Sequence, residues 1–121
     1  MSLRLYQIAV DARDPAALAR FWAEVLDWRI LLEDPDEVVV GADESAWPGM
    51  VFLAVPEEKA GKNRLHLDLA PEDRPAEVAR LLALGAVLVD VGQPADAPWT
   101  VLADPEGNEF CILGPKHSLT V

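Results

Sequence analysis

The chain has 121 residues, 51% of them apolar, and carries 21 acidic against 10 basic residues for a formal charge of −11. This is the length of one domain, with enough apolar content for a real core, which excludes a disordered polymer. The acidic excess, with no Lys/Arg stripe, excludes nucleic acid and anionic membranes as partners and favours cationic ligands.

Leu3, Leu5, Ile8 and Val10 predict a strand over 3–10. Asp14 offers an N-cap oxygen and Pro15 a preset first turn. Leu18, Phe21, Trp22, Val25 and Leu26 then follow at amphipathic-helix spacing. The helix is expected to stop near Asp27, with Trp22 in the core. Residues 28–32 read as a strand with Trp28 also in the core, 33–36 as a turn, and 37–40 as its hairpin partner. A loop over 41–49 carries Trp47, and 50–55 is a strand ended by Pro56. The polar stretch 57–63 is a short connection within one domain.

The order then recurs. Residues 64–69 predict a strand, and Asp73 or Glu72 a cap. The following helix buries Val78, Leu81 and Leu82 and stops at Gly85. Residues 86–91 form a strand, 92–98 a loop rich in Pro, Gly and Ala, and 99–102 another strand. Asp104-Pro105-Glu106-Gly107-Asn108 is a strong turn. It leads into a last strand over 108–113 and a frayed tail over 116–121.

The two helices are copies of each other: Pro15, Ala16, Ala19, Arg20 and Ala23 recur as Pro75, Ala76, Ala79, Arg80 and Ala83. Around them, Gln7-Ile8-Ala9-Val10 answers His66-Leu67-Asp68-Leu69, and Phe52-Leu53-Ala54-Val55 answers Phe110-Cys111-Ile112-Leu113. Two copies of a strand-helix-strand-strand-strand unit suggest a duplicated module that closes on itself, with its binding site in the cleft between the copies.

The lone Cys111 excludes an internal disulfide and fits a reducing compartment. The first residues lack the apolar run of a signal peptide. The longest apolar stretch, 81–89, is about half a membrane span. A cytoplasmic protein is expected.

A duplicated βαβββ unit resembles the vicinal-oxygen-chelate superfamily: glyoxalase I, extradiol dioxygenases, and fosfomycin- and bleomycin-resistance proteins. The resemblance is carried by Asp14-Pro15-Ala16-Ala17-Leu18-Ala19-Arg20-Phe21-Trp22, Lys62-Asn63-Arg64-Leu65-His66-Leu67-Asp68-Leu69, Leu84-Gly85-Ala86 and Asp104-Pro105-Glu106-Gly107-Asn108-Glu109-Phe110. It covers nearly the whole chain and is closest to the small single-domain glyoxalase-like proteins. It implies an α+β fold: two tandem βαβββ modules, 1–56 and 64–115 of a single domain, forming a curved mixed sheet around a cleft. Members often pair two chains, so a homodimer is expected.

Catalytic members hold a divalent metal through four strands, two per module. Carried over residue by residue, the four positions are Gln7, Leu53, His66 and Cys111. Leucine cannot ligate, no carboxylate is present, and Mg²⁺ or Mn²⁺ wants oxygen donors. Zinc could take His66 and Cys111 with Gln7 and water. The expected reading is a chelate fold with no metal and no cofactor.

Glu109 shares a strand face with Cys111 by alternation and is read as a solvated strand end that could line the cleft mouth. His66 and Cys111 could form a thiolate–imidazole pair, against which a cysteine in an apolar strand is usually core. Trp47 and Trp99, at loop positions, are candidate ligand-contacting aromatics. Lys62 and Arg64 could meet an anionic group but read as exposed charges. No glycine-rich phosphate loop is present.

Three functions remain open. The expected one is binding of a small organic molecule by a metal-free glyoxalase-like protein of the bleomycin-resistance type. The cleft candidates are Gln7, Trp47, Leu53, His66, Trp99, Glu109 and Cys111, with no catalytic residue assigned. The alternatives are an enzyme (a metal-dependent lyase, isomerase or dioxygenase, or a Cys111-based catalyst) and a ligand-free dimerisation module.

Overall fold

A computed structural model describes residues 2–120, and these divide after Glu58 into two compact units. The first holds β1 (Gln7–Ala12), α1 (Pro15–Leu26), β2 (Arg29–Glu33), β3 (Glu37–Gly41) and β4 (Gly49–Ala54). The second holds β5 (Asp68–Leu69), α2 (Arg74–Leu84), β6 (Val87–Leu88), β7 (Thr100–Ala103) and β8 (Glu109–Ile112). The fold is α+β, and the duplication read from the helices extends to topology. The sheet orders are β1-β4-β3-β2 and β5-β8-β7-β6. In each, the first and last strands pair in parallel and the other pairs are antiparallel.

Both helices start as their sequences dictate. The Asp14 and Asp73 carboxylates accept from the N–H of Ala17 and Ala76, each at 3.1 Å, so Asp73 rather than Glu72 is the second cap. Both helices end in a left-handed residue, Asp27 in the first and Gly85 in the second. In the first unit α1 packs on β3 and β4. Leu18, Phe21 and Trp22 are buried, as are Val38, Val40, Met50 and Phe52 on the strands. Alternation along β4 turns Met50 and Phe52 to one face and Val51 and Leu53 to the other. Burial of each large side chain contributes roughly 1.5–3 kcal/mol.

Several strands are shorter than expected: register explains β1 and β5, and local side-chain bonds follow β6. β1 begins at Gln7, not at residue 3, because its partner β4 begins at Gly49, opposite Gln7. The last bond runs from Gly49 N–H to the Tyr6 carbonyl, and Leu3 and Leu5 are left exposed. In β5, pairing of Asp68 with Cys111 would set residues 64 and 65 opposite the 107–108 turn, where no ladder can form. Beyond β6, Val89 N–H still donates to the Val101 carbonyl, but the next backbone groups are bonded locally: Gln93 Oε1 accepts from Val91 N–H and Asp90 from Gly92 N–H, both at 2.8 Å. Leu82 is a further correction. It lies about 100° round the helix from buried Leu81 and faces solvent. Trp28, expected in the core, is half-buried before β2. The tail through Thr120 has no helix or strand; the last residue of the expected tail, Val121, lies outside the described residues. Among the described residues, no helix is long and apolar enough to cross a membrane.

The β7–β8 hairpin is closed by Asp104, which is buried. Its Oδ1 accepts from the backbone N–H of Glu106 at 2.9 Å and of Asn108 at 3.0 Å, and both carboxylate oxygens meet Asn108 Nδ2. Gly107 follows at φ +91°, where an added Cβ would meet only the Lys59 side chain at 3.7 Å. The obstacle to substitution there is backbone strain, not space. Gly107→Ala is therefore expected to destabilise the chain by about 1–2 kcal/mol, read as a fall in the urea midpoint without a change in slope.

Candidate functional site

The second unit carries a pocket of about 540 Å³ on the face of its sheet to which Glu109 and Cys111 point. Alternation along β8 explains this placement: Phe110 and Ile112 go into the core while Glu109 and Cys111 turn to the other side. His66 precedes β5 and Asp68 begins it, two positions apart and so on the same face. Trp99 immediately precedes β7, and the 91–94 loop supplies Val91, Gln93 and Pro94. Val101 and Leu113 complete an apolar wall.

At one end, three side chains converge. His66 Nδ1 lies 3.0 Å from Asp68 Oδ1 and 4.0 Å from Cys111 Sγ, and all three ligand atoms lie within 4.8 Å of one another. The imidazole therefore offers the same nitrogen to the carboxylate and the thiol. A general-base pairing would place the carboxylate on one ring nitrogen and the thiol on the other. Burial pushes the Cys111 thiol up, and the charge and hydrogen bond of Asp68 push it further. The thiol is thus held neutral, which does not suit a nucleophile.

Glu109 is not a solvated strand end. It is buried, with Lys59 Nζ 2.9 Å from its Oε1 and the Asn63 N–H donating to the same oxygen at 3.2 Å. Burial raises the carboxyl, but the Lys59 hydrogen bond, the Asn63 N–H and the ammonium charge outweigh it and hold the group below its ordinary 4.5. Lys59 also donates to the Gly61 carbonyl. Glu109 thereby ties residues 59–63 to β8 along the pocket edge, and its charge is already compensated.

Of the seven candidates, His66, Trp99, Glu109 and Cys111 share this pocket. Gln7, Trp47 and Leu53 lie in the first unit. There Gln7 pairs with Gly49 and Leu53 with Asp11, which separates the two by about 13 Å along the strands. Register also revises the repeat. Cys111 pairs with Asp68, two positions after His66; in the first unit Ala9, two positions after Gln7, pairs with Val51. Val51, not Leu53, is the counterpart of Cys111. Neither can ligate, so the donor set that the resemblance implies for a hard divalent cation does not fit. Trp47 is partly exposed, edge-on to Tyr6 with ring centroids 4.8 Å apart, and Arg4 lies 4.1 Å over its ring.

Asp68 is the residue that sequence reasoning passed over. Its signal was present in the His66-Leu67-Asp68 alternation, which sets two polar side chains on one strand face. Lys62 lines the pocket, whereas Arg64 does not.

The chain thus holds two βαβββ units of an α+β fold, with a pocket on one face of the second unit's sheet. A family model described as glyoxalase-like domain matches residues 7–113, and the chain belongs to that family. Solved structures of the glyoxalase, bleomycin-resistance and dioxygenase superfamily share its fold. A glyoxalase/bleomycin resistance protein/dioxygenase family enzyme from Burkholderia phytofirmans PsJN is 21% identical, with a TM-score of 0.73 over 94% of this chain and 100% of that one. The fosfomycin resistance protein FosX from Mesorhizobium loti is 17% identical, with a TM-score of 0.72 over 99% and 97%. TnmS3, an antibiotic binding protein from Streptomyces sp. CB03234, is 22% identical, with a TM-score of 0.66 over 96% and 99%. No curated protein matches the sequence.

Proposed function

We propose that this glyoxalase-like protein binds a small organic molecule in the second-unit pocket, without a Mg²⁺- or Mn²⁺-type catalytic metal. The observation that carries the reading is the pocket itself. Its volume of about 540 Å³ lies within the roughly 300–1,000 Å³ of small-molecule sites. It joins an apolar wall of Trp99, Val101 and Leu113 to the polar end formed by His66, Asp68 and Cys111. The antibiotic-binding neighbour and the fosfomycin-resistance neighbour support the same class of activity. A flat molecule stacking on Trp99 with a basic nitrogen toward Asp68 suits this lining, and the net charge of −11 steers such a ligand inward.

The test is a thermal-shift screen of chelator-treated protein against small aromatics and amines. A binder is expected to raise the melting temperature in step with mass action, stabilising the fold by about 2.7 kcal/mol at a hundredfold excess over its Kd. Trp99→Ala is expected to weaken that binder roughly tenfold. If no compound shifts the transition, or Trp99→Ala binds equally well, the reading is wrong.

A further inference from the structure

The donors that converge in the second unit differ in kind from those a hard cation needs. We infer that His66, Asp68 and Cys111 form a three-ligand site, contained within one unit, for a borderline divalent cation of the zinc class. Their atoms, Nδ1, a carboxylate oxygen and Sγ, form the mixed nitrogen, oxygen and sulfur set that such ions take, while Mg²⁺ and Ca²⁺ require oxygen throughout. The spacing also suits the ion. Bonds of about 2.0–2.3 Å in a tetrahedron put ligand atoms roughly 3.2–3.7 Å apart. The observed 3.0 Å and 4.0 Å separations bracket that range, and all three atoms fall within 4.8 Å.

Three features of the site favour capture. His66 and Asp68 are partly exposed, so an ion can enter and their side chains can rotate to close the remaining gap of up to about 1 Å between the 4.8 Å limit and tetrahedral spacing. Cys111 is fixed in β8, which supplies one rigid ligand. The pocket opens directly beside the three donors and leaves the fourth coordination position to water or to a pocket ligand. On binding, one metal–sulfur bond replaces the S–H bond and the proton leaves to solvent. The carboxylate and thiolate together then balance the dication. Lys62, which also lines the pocket, is the competing cation, and its flexible stem lets it withdraw.

The inference stands apart from the organic-ligand reading, which is tested on metal-stripped protein. Chelator-treated full-length chain is titrated with Co²⁺ as a spectroscopic substitute, followed by Zn²⁺ and, separately, excess Mg²⁺. The expected result is one Co²⁺ per chain with a thiolate-to-cobalt charge-transfer band, displaced by Zn²⁺ and indifferent to Mg²⁺. Cys111→Ser should abolish the band. His66→Ala and Asp68→Asn, at partly exposed positions, should each weaken binding at least tenfold while circular dichroism and melting stay as in the parent. Absence of the band from the parent protein overturns the site. So does a band that persists with unchanged affinity in His66→Ala and Asp68→Asn, since it would report Cys111 acting alone.

Discussion

Asp104→Ala lowers stability by about 3 kcal/mol, among the largest single losses expected outside the apolar core. Two backbone N–H groups, of Glu106 and Asn108, point at one carboxylate oxygen that is itself buried. Hydrogen bonds to a charged acceptor contribute about 1.5–3 kcal/mol each, and partial solvation of the orphaned donors reduces their sum. Asp104→Asn separates the components. It keeps an acceptor for both N–H groups and loses the charge and the second oxygen that meets Asn108 Nδ2, so it should lose about half as much. Urea unfolding measures both. Equal losses for Ala and Asn would show that charge, not acceptor geometry, closes the turn. Because the turn sets the register of β7 against β8, Asp104→Ala should also weaken any pocket ligand that contacts Trp99 and Cys111.

Lys59→Met is expected to cost about 2–3 kcal/mol, slightly below the range for breaking a fully buried pair, since the Lys59 side chain keeps 20% of its exposure. The cost comes from the partner: Glu109, with a side chain only 10% exposed, keeps its charge and loses its ammonium. Lys59→Met with Glu109→Leu should recover much of the loss, because an apolar pair replaces a buried charge. The pH dependence has a definite sign. Glu109 in the parent lies below its ordinary 4.5. Its stabilisation is therefore complete above that value and is lost as pH falls through the lower, folded-state value. Without Lys59, the hydrogen bond and charge that oppose burial are gone, leaving only the backbone N–H bonds, so the group moves upward relative to the parent. The gap between parent and Lys59→Met should thus be widest near neutral pH and narrow on acidification. A gap independent of pH between about 3 and 7 would contradict this account.

The elements were legible wherever local chemistry decides them. Asp14 and Asp73 cap helices because their carboxylates reach an N–H three residues on. Gly85 ends one because it tolerates positive φ, and the Asp104–Asn108 turn closes a hairpin by its own side chains. Strand lengths were less legible, since a strand extends only as far as its partner: β1 stops where β4 begins, and β5 where the 107–108 turn begins. The site divides in the same way. Strand alternation placed Glu109 and Cys111 on one face, but nothing near Glu109 in sequence announces Lys59, fifty positions away. Glu109 accordingly reads as solvent-exposed until the fold supplies its partner.

The sequence by itself determined the duplication, the caps, the turns and the apolar faces, and through them the family. These depend on residues within one helical turn or one hairpin of each other, or on a repeat visible by inspection. Only the tertiary structure decided the register of β1 on β4 and of β5 on β8. That register makes Val51 the counterpart of Cys111 and sets Asp68 beside His66 and the thiol. A shift of one residue along a strand turns every side chain to the opposite face, and pairing between strands distant in sequence is set by packing that no local pattern encodes.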